Sequence, residues 1–370
     1  MEYQSDRLIA QVNLKNILHN LNEYKRVINK PKLKYLAVVK ANAYGHGAVE
    51  VAKYLSPYVD YFAVATPDEA FELRDSKLKQ PVLMLGLPLD TDIAKCVEKD
   101  ITFSVDSLEL AKKINLQAEN LNKTASIHIA LDTGMTRIGF LYYENYIEEI
   151  KKISLLKNIE ITGVYTHFSD IENENTKYAE KQHQLFNKMC DNLQTSGVNL
   201  GIKHMANSIA SLVDDYTYDM VRIGIALYGY NESDTKTKQV YLKPTLTLIS
   251  HVIDIRLIKK GSDVGYSRIY TTQQDEYIAT IPGGYADGLS RSISGKDFEV
   301  VFEDGTKGTI VGKICMDQCM VRVPKKIELG DKVYIFGYDK ASTLKLAQLS
   351  STIVYDTLCS IRRVKRVYIK

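Results

Sequence analysis

The sequence predicts an α/β protein, an N-terminal (β/α)8 barrel of the TIM type followed by a mostly β C-terminal domain. Three observations carry that expectation. Over the first two-thirds of the chain, short apolar runs alternate with amphipathic helical segments. The runs are almost continuously apolar, as strands covered on both faces must be. Beyond about residue 240 the texture changes to β segments separated by Gly and Asp turns.

A helical pattern at 14–28 precedes the first run, KYLAVV at 34–39. Further runs follow at 61–65, 82–86, 101–105, 125–131, 161–166, 202–206 and 220–223, eight in all. Between them, 68–74 reads as a helix behind Pro67, a favourable first helical residue. Asp106 is placed as the cap of a helix over 107–115, and 175–195 reads as one long amphipathic helix. Eight such units predict a closed barrel. A doubly wound sheet is the competing arrangement, and periodicity alone does not separate the two. The later β segments are 245–257, 277–281, 298–302, 308–311, 319–323 and 332–336, with a helical piece at 344–349. The expected division is residues 1–240 for the barrel and 241–370 for the β domain. No Pro-, Gly- or Ser-rich linker separates them, so tight packing is expected.

Composition bounds the function. Of 370 residues, 45% are hydrophobic and 25% charged, which excludes a disordered chain. The net charge of +3 is too small to imply a nucleic-acid partner. The basic run at 362–366 reads as a solvated edge. No apolar stretch is long enough for a membrane span. The N-terminus lacks a signal-peptide profile, and the five cysteines are few and scattered, so a cytoplasmic location is expected. Cys315 and Cys319 have a spacing a metal could use, but no second pair or His cluster accompanies them, and no metal is expected.

Active sites of such barrels lie where strands end. The first predicted strand runs into Lys40. A partly buried lysine has a lowered pKa and a nucleophilic amine, able to form a Schiff base with a carbonyl. The fifth delivers Arg137 on a tight turn, suited to forking onto a carboxylate. The sixth ends at His167, the seventh at Asn207 and Ser208, the eighth at Arg222 and Gly224. Ser208 is read as opening an apolar helix whose N-terminus could meet a phosphate. Gly224 lets backbone approach an anion closely.

These residues sit in recognisable motifs. VVKANAYGHG (38–47), LDTGMTRIGF (131–140), THF (166–168), NS (207–208), RIGIALYG (222–229), VGYSRIY (264–270), PGGYADG (282–288) and CMDQ (315–318) occur in this order. Together they resemble the alanine racemases, whose fold is a (β/α)8 barrel followed by a β domain. The resemblance spans nearly the whole chain and implies a two-base, pyridoxal 5'-phosphate-dependent racemase of a small amino acid, supplying D-alanine for peptidoglycan. It implies Lys40 as cofactor-bearing residue and first base. The second base would be Tyr266, donated by the partner in a head-to-tail homodimer. Tyr44, Ser208, Gly224, Ile225 and Tyr355 would hold the phosphate, and His167 and Asn207 would lie against the ring. Arg222 would face the pyridine nitrogen, and Arg137 and the Met316 N–H would receive the substrate carboxylate. Cys315 and Asp317 would flank that position, and Tyr285 would line the entrance.

One position departs from the pattern. Many members carry a lysine, often carbamylated, two residues before Asp132, where this chain has Ala130. Arg137 then needs another support, for which a bound anion such as chloride is the expectation. Tyr355 and Tyr285 favour alanine over bulkier substrates. A serine racemase and a non-catalytic pyridoxal-phosphate-binding protein are the alternatives.

Overall fold

The computed structural model describes residues 5–171, 177–231 and 238–370. Eight strands follow one another around a barrel: Lys34–Val38, Tyr61–Val64, Val82–Met84, Thr102–Val105, Ala125–Asp132, Ile159–Tyr165, Ile202–His204 and Met220–Ile223. Every neighbouring pair is parallel, and the eighth strand returns to lie beside the first, with Arg222 opposite Leu36. Two backbone bonds close the remaining seam: Asp219 N–H donates to Lys203 O (3.1 Å) and Arg222 N–H to Ala206 O (3.0 Å). Closure decides between the barrel and the doubly wound sheet.

The runs form strands because their side chains are buried on both faces. Phe62, Ala63, Val64, Val82, Leu83, Met84 and Phe103 are all fully enclosed. The helices between them cover the outside. Pro67–Asp75 starts at Thr66 with a complete capping box to Glu69. Helix Leu108–Asn120 is capped by Ser107, whose hydroxyl accepts from Leu110 N–H, and not by Asp106. The long helix runs over Lys177–Thr195, and the first two residues expected in it lie outside the described residues. The stretch after Ser208 is not a helix. It forms two 3-10 turns, Ala210–Leu212 and Asp214–Tyr216.

A second sheet of nine strands carries the rest. Its order is Asp254–Ile258, Glu276–Pro282, Gln318–Val323, Lys307–Val311, Glu299–Phe302, Lys332–Phe336, Leu246–His251, Leu8–Asn13 and Lys365–Ile369. All pairings are antiparallel except the last. The segment read as one at 245–257 is two strands. Leu8–Asn13, which precedes the barrel in the chain, belongs to this sheet, and the basic run at 362–366 leads into its edge strand. Helices Lys340–Leu349 and Val354–Cys359 pack beside it. One continuous apolar core runs from Leu36 and Phe62 in the barrel to Phe298 and Phe336 in the β domain.

Candidate active site

Lys40 stands where the first barrel strand ends, in a backbone that L-residues rarely adopt. Ala41, Asn42, Ala43 and Tyr44 all have φ between 52 and 54°. Such a left-handed turn without glycine costs about 1 kcal/mol or more per residue, so it persists only where its surroundings hold it. Ala43 N–H bonds to Val39 O (2.8 Å) and Gly45 N–H to Ala41 O (3.0 Å). The Asn42 side chain accepts from Ala48 N–H (2.8 Å). Across the loop, Glu69 Oε1 accepts from Ala41 N–H (2.6 Å), while its Oε2 accepts from Ala65 N–H (2.7 Å). Lys40 is half-buried, and its ammonium pKa is lowered, first by burial and then by the Arg137 charge. That shift makes a free amine easier to reach near neutral pH.

The strand ends open into a cavity of about 1160 Å³, lined by Lys40, Tyr44, Arg137, His167, Asn207, Ser208, Arg222, Gly224, Ile225 and Tyr355. At one end the Tyr44 ring packs 4.7 Å from that of Tyr228 and 6.0 Å from that of Tyr355. Ser208 Oγ accepts from Gly224 N–H (3.0 Å). A side chain on Gly224 would come 2.9 Å from the Tyr44 hydroxyl, so glycine keeps this hydroxyl-lined end open. Burial keeps the Tyr44 phenol protonated by raising its pKa.

The opposite wall is organised by Arg222, which is 4% exposed. Its terminal nitrogens donate to His204 Nδ1 (2.9 Å), His167 Nδ1 (3.1 Å), Thr166 O (2.9 Å) and Met205 O (2.9 Å). Burial lowers its pKa to about 10, so it is charged at neutral pH. Among the described residues it has no carboxylate partner. His167 and His204 are driven well below the usual imidazole range by burial, then by the Arg222 charge, and stay neutral. Tyr165 stacks on His204 at 5.1 Å, and its hydroxyl donates to Ser104 Oγ (2.8 Å).

Arg137 is exposed on a turn shaped by Asp132, whose Oδ1 accepts from Gly134 N–H (2.8 Å) and Thr136 N–H (3.1 Å). Among the described residues no carboxylate forms an ion pair with Arg137. Ala130, buried, lines the cavity beside it.

The β-domain residues divide. Tyr355 reaches the cavity on helix Val354–Cys359. Tyr266, Tyr285, Cys315, Met316 and Asp317 do not line the cavity of their own chain. Tyr266 is 66% exposed, Met316 51% and Tyr285 42%. The loops of Tyr285 and Met316 are paired: Tyr285 N–H donates to Cys315 O (3.1 Å) and Ala286 N–H to Met316 O (3.0 Å). Among the described residues, no three His, Cys, Asp or Glu side chains gather as metal ligands.

Comparison with known proteins shows the family. A family model described as alanine racemase, N-terminal domain, matches residues 12–232, and one described as alanine racemase, C-terminal domain, matches 245–368. The chain belongs to the alanine racemase family. An alanine racemase of Methanococcus maripaludis is 39% identical over 97% of this chain and 98% of its own. The solved alanine racemase of Clostridium difficile 630 superposes with a TM-score of 0.94 at 40% identity, over 99% of this chain and 96% of that one. A histidine racemase of Leuconostoc mesenteroides has the same fold at 28% identity, with a TM-score of 0.90 over the full length of both chains.

The alanine racemase motifs left some site residues unnoticed. Glu69 was detectable: Thr66-Pro67-Asp68-Glu69 spells a capping box. Cys359 lines the cavity and is half-buried, its thiol pKa raised by burial. His128 and His204 lie inside predicted strands, where nothing local marks them.

Proposed function

We propose that this chain interconverts L- and D-alanine with pyridoxal 5'-phosphate carried on Lys40, in a head-to-tail homodimer. The observation that carries the reading is the split of the two proposed bases. Lys40 lines the barrel cavity, whereas Tyr266 stands in solvent on the β domain of the same chain.

The cavity suits the cofactor. It offers an amine of lowered pKa, a hydroxyl-lined end at Tyr44, Ser208 and Tyr355 kept open by Gly224, and a buried cation at Arg222. Tyr44, Ser208, Gly224, Ile225 and Tyr355 would hold the phosphate, with His167 and Asn207 along the ring. When bound, pyridoxal phosphate supplies an aldehyde for the substrate amine and a ring that delocalises the electron pair left by the α-proton.

The residues supply the rest. Racemisation removes a proton from one face of the α-carbon and delivers one to the other, so a base is needed on each side. The Lys40 amine serves one face, and the Tyr266 phenol of a second copy serves the other. Arg222 has only donors to offer. A ring nitrogen facing it must accept and stays unprotonated, which keeps the electron sink weak and limits side reactions. Arg137 and the Met316 N–H orient the carboxylate, Cys315 and Asp317 flank Met316, and Tyr285 narrows the entrance. With Ala130 in the cavity wall, an anion such as chloride supports Arg137.

The test is complementation. Lys40→Ala and Tyr266→Phe proteins are each expected to be inactive on L-alanine. Dissociated and reassembled together, they should regain about a quarter of wild-type activity, because half the dimers are mixed and each has one intact site. No D-alanine from the wild type refutes the activity, and no recovery on mixing refutes the shared site. Serine and histidine assayed alongside measure substrate breadth.

A further inference from the structure

The Arg222 bonds continue beyond His204. His204 Nε2 lies 2.8 Å from His128 Nδ1, and both rings are fully buried. The direction of every proton in this chain follows from its first member. A guanidinium can only donate, so His204 Nδ1 accepts. A neutral imidazole has one N–H, so the His204 proton is on Nε2 and is donated to His128. His128 Nδ1 therefore accepts, and its own proton is on Nε2. Both rings are neutral here, held low by burial and by the Arg222 charge. The chain ends there: His128 Nε2 has no hydrogen-bond partner among the described residues.

That terminus is built for. The sheet register shifts between Ile127 and His128, so that Ile127 faces Ile161 but His128 faces Gly163. Thr162 is the extra residue, and the bulge sets a glycine against the imidazole. A side chain on Gly163 would meet His128 ring atoms at 2.6 to 2.8 Å. The fold thus spends a bulge and a glycine to seat a ring that leaves a donor unpaired, a costly arrangement for a ring that only fills space.

We propose that His128 is a positioning residue for Arg222: its Nδ1 accepts the His204 Nε2–H, so that the tautomer the guanidinium requires leaves no buried donor on His204 unpaired. The inference rests on the reading of Arg222 as the group facing the cofactor nitrogen. With the other tautomer, His204 would turn an N–H toward the guanidinium, and Arg222 would lose one anchor and its fixed direction.

The experiment uses full-length protein labelled with 15N-histidine, with and without pyridoxal phosphate. Wild-type His204 and His128 should both be Nε2–H tautomers, in the cofactor-free protein as well as the loaded one. His128→Leu, which leaves the His204 Nε2–H buried without an acceptor, should lower the share of the Nε2–H tautomer. It should also weaken pyridoxal phosphate binding about ten-fold, the value of one charge-assisted hydrogen bond. His128→Asn, whose amide oxygen replaces the acceptor, should restore both. A wild-type His204 protonated on Nδ1 overturns the proposal without any variant, as does a Leu variant with unchanged tautomer and affinity. A wild type with the expected tautomers that binds no pyridoxal phosphate would instead refute the cofactor reading.

Discussion

Arg222 carries a charge into the barrel with no counter-ion. What stabilises it is a set of carbonyls and neutral imidazoles, and the cost is transferred to the histidines, which are barred from protonation. That cost depends on pH. Burial lowers His46 to about 4 and His128 to about 3, and pushes His204 well below its usual range, against 6.5 for an unperturbed imidazole. Below 6.5 the unfolded chain takes up protons that the folded chain refuses. Stability is therefore full above that value and lost as pH falls toward 4. Each buried histidine should contribute about 1.4 kcal/mol per pH unit across this window. Urea denaturation at a series of pH values checks the slope, and His128→Asn should reduce it by one histidine's share.

At the scale of elements, the left-handed turn after Lys40 depends on a helix it does not touch in sequence. Glu69 closes the capping box of Pro67–Asp75 with one oxygen and grips Ala41 N–H with the other. Glu69→Ala should cost about 1–2 kcal/mol as a lost cap, read by denaturation, and should also weaken pyridoxal phosphate binding, read by absorbance titration. Glu69→Gln should retain most of the stability, because its amide oxygen still accepts one bond. The eight strands and most helices were legible because burial on both faces leaves continuous apolar runs and caps leave short polar signatures. The turn was not. Ala41-Asn42-Ala43-Tyr44 contains no glycine to mark positive φ, and only the bonds from Glu69, Val39 and Asn42 make that backbone tolerable.

For the whole molecule, the loops bearing Tyr285 and Met316 are tied to both terminal segments through two carboxylates, Asp287 and Asp317. Asp287, its side chain 1% exposed, accepts from Arg7 (3.0 Å) and from Gly284 N–H (3.1 Å), while Arg363 pairs with Asp317 (2.8 Å). Arg7 leads into the strand Leu8–Asn13, and Arg363 into the edge strand beside it. Asp287→Asn should cost about 1–2 kcal/mol, since Arg7 is partly exposed and its pairing is screened. It should raise the KM for alanine more than it lowers kcat, because the loops it frees carry the groups proposed to meet the substrate, not the proposed bases. Steady-state kinetics and denaturation together check this. The exposure of Tyr266, Tyr285 and Met316 also belongs to this scale, since none of them lines the cavity of its own chain. Among the described residues no helix is long and apolar enough to cross a membrane.

Motif order and hydrophobic period were enough to place the eight strands, the later β segments and the strand-end residues that line the cavity. Both are local properties, written in consecutive residues. Closure of the barrel, the return of Leu8–Asn13 into the second sheet, the grip of Glu69 on Ala41 and the proton order through His204 and His128 were decided by folding alone. Each joins groups far apart in the chain, and a hydrogen bond between such groups leaves no periodic trace in the residues that make it.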